Sequence, residues 1–220
     1  MSLGPKQALF AEFAAVARAI GHPRRLEILE HLAQSERGVE ALSQRVGLSI
    51  ANASQHLQQL RRVGLVTSRR DGKFVLYSLG DQNVLGLLST LRQIAERNIA
   101  EVDRIVRGYF AGRDSMEPVS RKELLERMRG GLVTVLDVRP VDEFAVGHLP
   151  GAINILLSEL ETRLAELDPN HEIVAYCRGS YCVLSFEAVA TLRARGFKVR
   201  RLEDGFPEWK AAGLAIESNA

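Results

Sequence analysis

The chain has 220 residues, of which 46% are hydrophobic and 25% charged, and its formal net charge is only +2. No apolar run approaches the roughly 20 residues of a membrane-spanning helix. The start, MSLGPKQALF, lacks the charged head and long apolar core of a secretory signal, so a cytoplasmic protein with no membrane partner is expected.

The length predicts two domains, each able to bury its own core. The small net charge hides an asymmetry. Residues 1–113 carry 16 Lys/Arg against 10 Asp/Glu, whereas residues 114–220 carry 13 against 17. A basic first half suits a polyanionic partner.

In chain order, Leu9, Phe13, Val16, Ala17 and Ile20 mark a helix over 6–20. Gly21-His22 stops it, and Pro23 opens a second helix carrying Leu26, Ile28, Leu29 and Leu32. A third helix, from about Gly38, buries Val39, Leu42 and Val46 and ends at Gly47. Leu48-Ser49 then caps a fourth helix over Ile50–Arg62. Helix, tight glycine turn and helix make the layout of a helix-turn-helix. Leu65–Arg69 and Phe74–Leu79 read as strands joined through Arg70-Asp71-Gly72-Lys73, a hairpin signal that gives a basic-tipped wing. Residues 81–111 hold one long helical pattern, with Leu85, Leu88, Leu91, Ile94, Ile99, Val102, Ile105 and Tyr109 as its apolar positions. It is long enough to cover its own domain and leave apolar surface for a second copy.

The fourth helix is the candidate reader of DNA. Ile50, Ala53, Leu57 and Leu60 form its apolar face, and Ser49, Asn52, Ser54, Gln55, His56 and Gln58 lie on the other. Amide side chains pair with adenine edges in the major groove. Arg61, Arg62, Arg69, Arg70 and Lys73 are placed for phosphates, which give affinity without sequence choice. The bland alternative is a solvated polar helix with scattered charges.

The segments IGHPRRLEILEHLAQ and LSQRVGLSIANASQHLQQLRRVGLVTSRRDGKFVLYSL resemble the ArsR-type winged-helix repressors over about 95 residues. The resemblance implies a homodimer built on the first and last helices, bound to double-stranded DNA and released by a ligand. It also implies limits. Metal-sensing members carry cysteines in the third helix, where this chain has Gly38–Leu42. Others use carboxylates and histidines on the last helix, where Glu96, Glu101 and Asp103 occur without a histidine. No metal site and no cofactor are expected.

After a linker at 112–116, residues 117–220 alternate helix and strand. Leu124–Met128 is helical and Val133–Val138 a buried strand. Helical pieces follow near Val141–Ala145 and Leu157–Leu167. Ile173–Tyr176 is a buried strand, Phe186–Arg195 a helix ending at Gly196, and Lys198–Leu202 a strand. The order predicts an α/β domain with a mostly parallel sheet behind a mainly-α winged helix-turn-helix over 1–111.

Both cysteines lie in YCRGSYC, Tyr176–Cys182, after the apolar run Ile173–Ala175. In a reducing compartment two thiols are more often reactive or ligating than permanently bridged. Zinc needs about four ligands, and only the distant His171 is at hand. A resemblance to phosphatase or arsenate reductase loops would imply an arginine six residues after the cysteine, where Val183 stands, and a loop one residue longer. An inert loop is the remaining alternative. A cysteine between a strand end and a helix N-terminus meets backbone N–H groups and the positive end of the helix dipole. Together with Arg178 these favour thiolate and can cradle an anion or a persulfide over Arg178, Gly179, Ser180, Tyr181 and Cys182.

LDVRPVDEFAVGHLPGAINI (Leu136–Ile155) and EDGFPEWKAAGLAIE (Glu203–Glu217) look like the two signatures of the rhodanese family, with Cys177 where that family keeps its nucleophile. The resemblance spans about 117–218. It implies that Cys177 takes sulfane sulfur from a small donor such as thiosulfate, polysulfide or persulfide, and that the domain is a sulfurtransferase, a sulfur sensor or an inert docking module. It also implies bracing roles for Asp137, Arg139, His148, Gly151 and Asn154, while Trp209 reads as a core anchor. The loop departs from the family at its fourth and sixth positions, where a glycine and a cation are common and Ser180 and Cys182 stand here. Cys182 is therefore a candidate resolving thiol, able to attack a persulfide on Cys177.

Overall fold

The computed structural model describes residues 4–111 and 116–219. Its chain divides into two compact units, Met1–Thr90 and Leu91–Ala220. The division falls well before the junction expected at 112–116, of which only Met116 lies among the described residues. Arg92 bonds Ser180 and Tyr109 bonds Glu187, which ties residues after Thr90 into the second unit.

The first unit opens with α1 (Pro5–Ile20) and α2 (Pro23–Gln34). His22 caps α2, its Nδ1 accepting from the Arg24 amide at 3.2 Å, and Pro23 fills the first helical position, where its missing N–H costs nothing. β1 (Arg37–Gly38) and α3 (Val39–Arg45) follow. Gly47, at φ +62°, makes the turn into α4 (Ile50–Arg62). Ser49 caps α4, its hydroxyl accepting from the Asn52 amide at 3.2 Å. β2 (Val66–Asp71) and β3 (Phe74–Leu79) form an antiparallel hairpin whose last pair is Asp71 with Phe74, and β1 adds to the far edge of β3. Ile28, Leu29, Leu42, Leu57 and Leu60 fill the core. Ile50, expected on the apolar face of α4, is instead 52% exposed, because it occupies the first turn of the helix, beyond the edge of that core.

The long helix expected over 81–111 is broken. α5 (Asn83–Asn98) ends where Ile99 adopts an extended conformation (φ −111°, ψ 104°), α6 covers Ala100–Ile105, and a π-helical turn covers Val106–Ala111. The Asn98 side-chain amide donates to the Ile94 carbonyl at 2.8 Å. This is the local competition with the helix ladder that asparagine offers, and the β-branched Ile99 follows it.

The second unit continues with α7 (Arg121–Arg129), β4 (Val133–Asp137), α8 (Val141–Val146), β5 (Ile153–Asn154), β6 (Glu172–Tyr176), α9 (Val183–Ala194), β7 (Val199–Arg201) and α10 (Phe206–Ala211). The four strands form an all-parallel sheet in the order β5-β4-β6-β7. Two apolar clusters pack on it, one holding Leu136, Ile173, Ala188 and Leu192, the other Leu124, Val174, Phe206 and Trp209. The helix expected near Leu157–Leu167 is a run of turns with a single 3-10 turn at Leu164–Glu166. Three-residue hydrogen bonds such as Thr162 N–H to Glu159 O dominate there, and the Thr162 hydroxyl also donates to the Glu159 carbonyl. No helix among the described residues is long and apolar enough to cross a membrane.

Candidate functional site

In the second unit, Cys177 stands directly after the C-terminal end of β6, an inner strand of the sheet, and Cys182 caps the N-terminus of α9. The two are joined as a disulfide with their Cα atoms 6.0 Å apart, and Cys177 is 1% exposed. The loop between them closes tightly, with Cys182 N–H bonding Gly179 O at 3.1 Å. The Cys182 carbonyl takes both the backbone N–H and the hydroxyl of Ser185. The amides of Gly179, Ser180 and Tyr181 make no hydrogen bond with another described residue. Successive backbone N–H groups ahead of a helix are a feature that anion-binding loops use.

The loop is held from beneath. Cys177 O accepts the Phe206 amide at 3.1 Å. Gly205, which precedes it, lies so close that a Cβ there would overlap the Arg178 carbonyl and the Gly179 nitrogen. Arg178, expected to lend its charge to the thiol, is committed elsewhere. Its Nε and Nη2 donate to both oxygens of the buried Glu143 on α8 at 2.9–3.1 Å. Its charge is balanced there by the Glu143 carboxylate.

A second buried network braces the strand ends. Asp137 and Arg139 have fully buried side chains. Asp137 takes the Arg139 amide at 2.8 Å and the guanidinium at 2.6–3.1 Å, and it also accepts the Tyr176 hydroxyl. Tyr176 in turn accepts the Leu149 amide at 3.1 Å. Burial, with the Asp137 carboxylate behind it, pushes the Tyr176 hydroxyl far above its ordinary pKa, so it stays a donor. Burial is the largest influence on Arg139 and works against its charge, yet the bond to Asp137 and the electrostatic pull of Asp137, Tyr176 and Glu143 together outweigh it and raise its pKa. Asn154 donates to the carbonyls of Asp137 and Arg139. His148 stacks on Phe144, Gly151 donates to Glu217, and fully buried Trp209 donates to Ala215 O.

In the first unit, Asn52, Gln55 and Gln58 are exposed on α4, as is Ser49, whose hydroxyl is engaged in the cap. Ser54 is half-buried. His56 is half-buried too, its ring 4.6 Å from that of His22. Burial first, then His22 and Arg25, lower its pKa, which keeps it neutral near pH 7. Arg61 donates to Ser68. Arg69 is gripped by both oxygens of Glu36, while Arg62, Arg70 and Lys73 make no ion pair with a described residue. Sequence reasoning missed the Glu36–Arg69 pair, which joins positions 33 apart. It also missed Arg25, whose guanidinium is buried against Ala19 O, Arg18 O and Gln59.

Comparison with known proteins agrees with both halves. Residues 22–68 match the bacterial regulatory protein, arsR family, and residues 120–212 match the rhodanese-like domain. The HTH-type transcriptional regulator Rv0324 of Mycobacterium tuberculosis is 42% identical over 215 residues, 98% of this chain and 94% of that protein. The HTH-type transcriptional regulator YgaV of Escherichia coli is 38% identical over 94 residues, 42% of this chain and 94% of that one. The solved homodimeric winged helix-turn-helix DNA-binding domain of Mb0332 from Mycobacterium bovis is 35% identical, covering 45% of this chain and 92% of that domain, with a TM-score of 0.42. The chain belongs to the arsR family of bacterial DNA-binding transcriptional regulators, with a rhodanese-like domain joined behind its winged helix-turn-helix.

Proposed function

We propose that this regulator works as a homodimer in the cytoplasm and senses sulfane sulfur through Cys177, with Cys182 as the resolving thiol. The observation that carries the reading is the joined Cys177–Cys182 pair, which brackets three loop amides that bond no other described residue, ahead of α9. In the dithiol state the Cys177 thiolate attacks the outer sulfur of a donor such as thiosulfate. A new sulfur–sulfur bond forms, the donor's bond breaks, and sulfite leaves with the electron pair. Cys182, its proton lost to solvent, then attacks Cys177 Sγ and expels hydrosulfide, leaving the disulfide. Two equivalents of a small cellular thiol return the pair to dithiol and become a disulfide themselves.

Dimer formation is supported by apolar side chains left open on α1, where Leu9, Phe10 and Phe13 are 58–63% exposed, and by Ile94 on α5, 56% exposed. DNA reading by Ser49, Asn52, Ser54, Gln55, His56 and Gln58, with phosphate contacts from Arg61, Arg62, Arg69, Arg70 and Lys73, is supported by the capped α4 and the basic hairpin. The Glu36–Arg69 pair separates the basic side chains. Arg70→Ala is expected to weaken binding to all sequences and to reduce the slope of log K against log salt by about one. Arg69→Ala is expected to do less, since Glu36 already balances that charge. Fluorescence anisotropy across a salt series, on a duplex selected from a random pool, checks both.

The sensing reaction is tested by mass spectrometry of the Cys177–Cys182 peptide after the reduced full chain meets thiosulfate or polysulfide. One hydrosulfide released per chain, with the disulfide formed and with no reaction in Cys177→Ser, is the expected result. Many sulfites per chain would make the second unit a multiple-turnover sulfurtransferase, with the winged helix as its targeting module. An unreacted Cys177 would leave an inert docking domain. The commitment of Arg178 to Glu143 favours the sensor, because no loop guanidinium remains to bind successive anionic donors.

A further inference from the structure

Helix α5 runs through the boundary between the two units. Within the first unit its early residues belong to the winged-helix core, where Val84 is buried and Leu87 and Leu88 pack. Within the second unit its later residues hold the loop between the cysteines. Arg92 Nη1 donates to Ser180 Oγ at 2.9 Å, and Arg92 Nη2 lies 3.7 Å from Glu208 on α10. One turn on, the Glu96 carboxylate acts on the Tyr181 hydroxyl. Burial first, then the Glu96 carboxylate, push the Tyr181 pKa up to about 12, so the phenol stays protonated throughout the physiological range. Farther along the chain, the Tyr109 hydroxyl bonds Glu187 at 3.2 Å, and the Phe110 ring lies 5.2 Å from Tyr181 and 4.6 Å from Phe186.

Arg92 and Glu96 are four apart and share a helix face. Their partners, Ser180 and Tyr181, are consecutive residues inside the six-residue segment that the disulfide closes. Opening that ring, or adding a sulfur to Cys177, changes the conformations open to both partners. Coupling through this grip requires a second arrangement once the ring is opened or the sulfur added. Resting on the reading of Cys177 as the reactive sulfur, we propose that α5 reads the state of the Cys177–Cys182 pair through Arg92–Ser180 and Glu96–Tyr181. It passes that state along its own length into the winged helix as a change in DNA affinity.

The test uses the full-length chain and a redox arm that needs no sulfur donor. Oxidised glutathione accepts the two electrons and two protons of the dithiol, giving the protein disulfide and two glutathione thiols. Dithiothreitol reverses this by forming its own cyclic disulfide. DNA affinity of each form is measured on a duplex selected on the reduced protein. The wild type is expected to change affinity by about tenfold between the two states. The Arg92→Gln/Glu96→Gln double variant, built from good helix formers, is expected to form the same disulfide by mass and to bind DNA like the wild type when reduced. Its affinity should then change by less than about twofold on oxidation. Arg92→Lys, which keeps the charge without the planar fork, should respond partway and serves if the double variant folds poorly. A double variant with the full wild-type ratio, or a wild type whose disulfide leaves DNA affinity unchanged, overturns the proposal. Failure of Cys177 to take up sulfur in the donor experiment would sink the sensing reading alone.

Discussion

Asp137→Ala is expected to destabilise the second unit by about 3–5 kcal/mol, because it leaves the Arg139 guanidinium buried after removing the carboxylate that holds it. Both side chains have no solvent exposure, and the carboxylate carries the bonds to the Arg139 amide, its guanidinium and the Tyr176 hydroxyl. Tyr176 immediately precedes Cys177, so the loss also loosens the strand end from which the reactive loop starts. For a unit of this size the shift in melting temperature should exceed about 10 °C. Asp137→Asn keeps the shape and an acceptor and should cost less. Thermal and urea unfolding of the full chain, followed by near-ultraviolet circular dichroism of the buried Trp209, separates the two variants. An Asp137→Ala loss below about 1 kcal/mol would mean that Arg139 finds other partners at once, and that the network does not support the loop.

Much of this architecture is legible from spacing and punctuation. The Ser49 cap, the Gly47 turn and the Gly72 hairpin are local decisions made by residues a few positions apart, and each occurs where the sequence places it. The strands β4 and β6 announce themselves as short apolar runs rich in β-branched residues, whereas β7 offers only Val199 between charged neighbours. What escapes is non-local. Nothing near Arg178 in sequence points to Glu143, 35 positions away, so a cation assigned to the thiol is spent on a buried carboxylate. Likewise Arg92 carries no signal in the sequence, and Glu96 reads there only as one of the carboxylates on the last helix. Their engagement with Ser180 and Tyr181 depends on tertiary packing that periodicity does not encode. The break at Ile99 was hidden for a different reason. The apolar positions continue in helical spacing across it, and only the side-chain bond of Asn98 to Ile94 O betrays the competing local geometry.

Two opposing effects set the acidity of the reduced Cys177, and they decide whether sulfur chemistry can begin there. Burial favours the neutral thiol and raises its pKa. The unspent amides of Gly179, Ser180 and Tyr181, with the first turn of α9, favour the anion. With Arg178 balanced by Glu143, the account requires the backbone donors to win. Removing the resolving thiol isolates the question, because Cys177 then titrates as a single free group. The deciding measurement is the rate of iodoacetamide alkylation of Cys177 in the Cys182→Ser chain as a function of pH. A midpoint at or below about 7.5 is predicted, within the range of activated cysteines, whereas a midpoint at or above the ordinary value of about 8.5 would contradict the account.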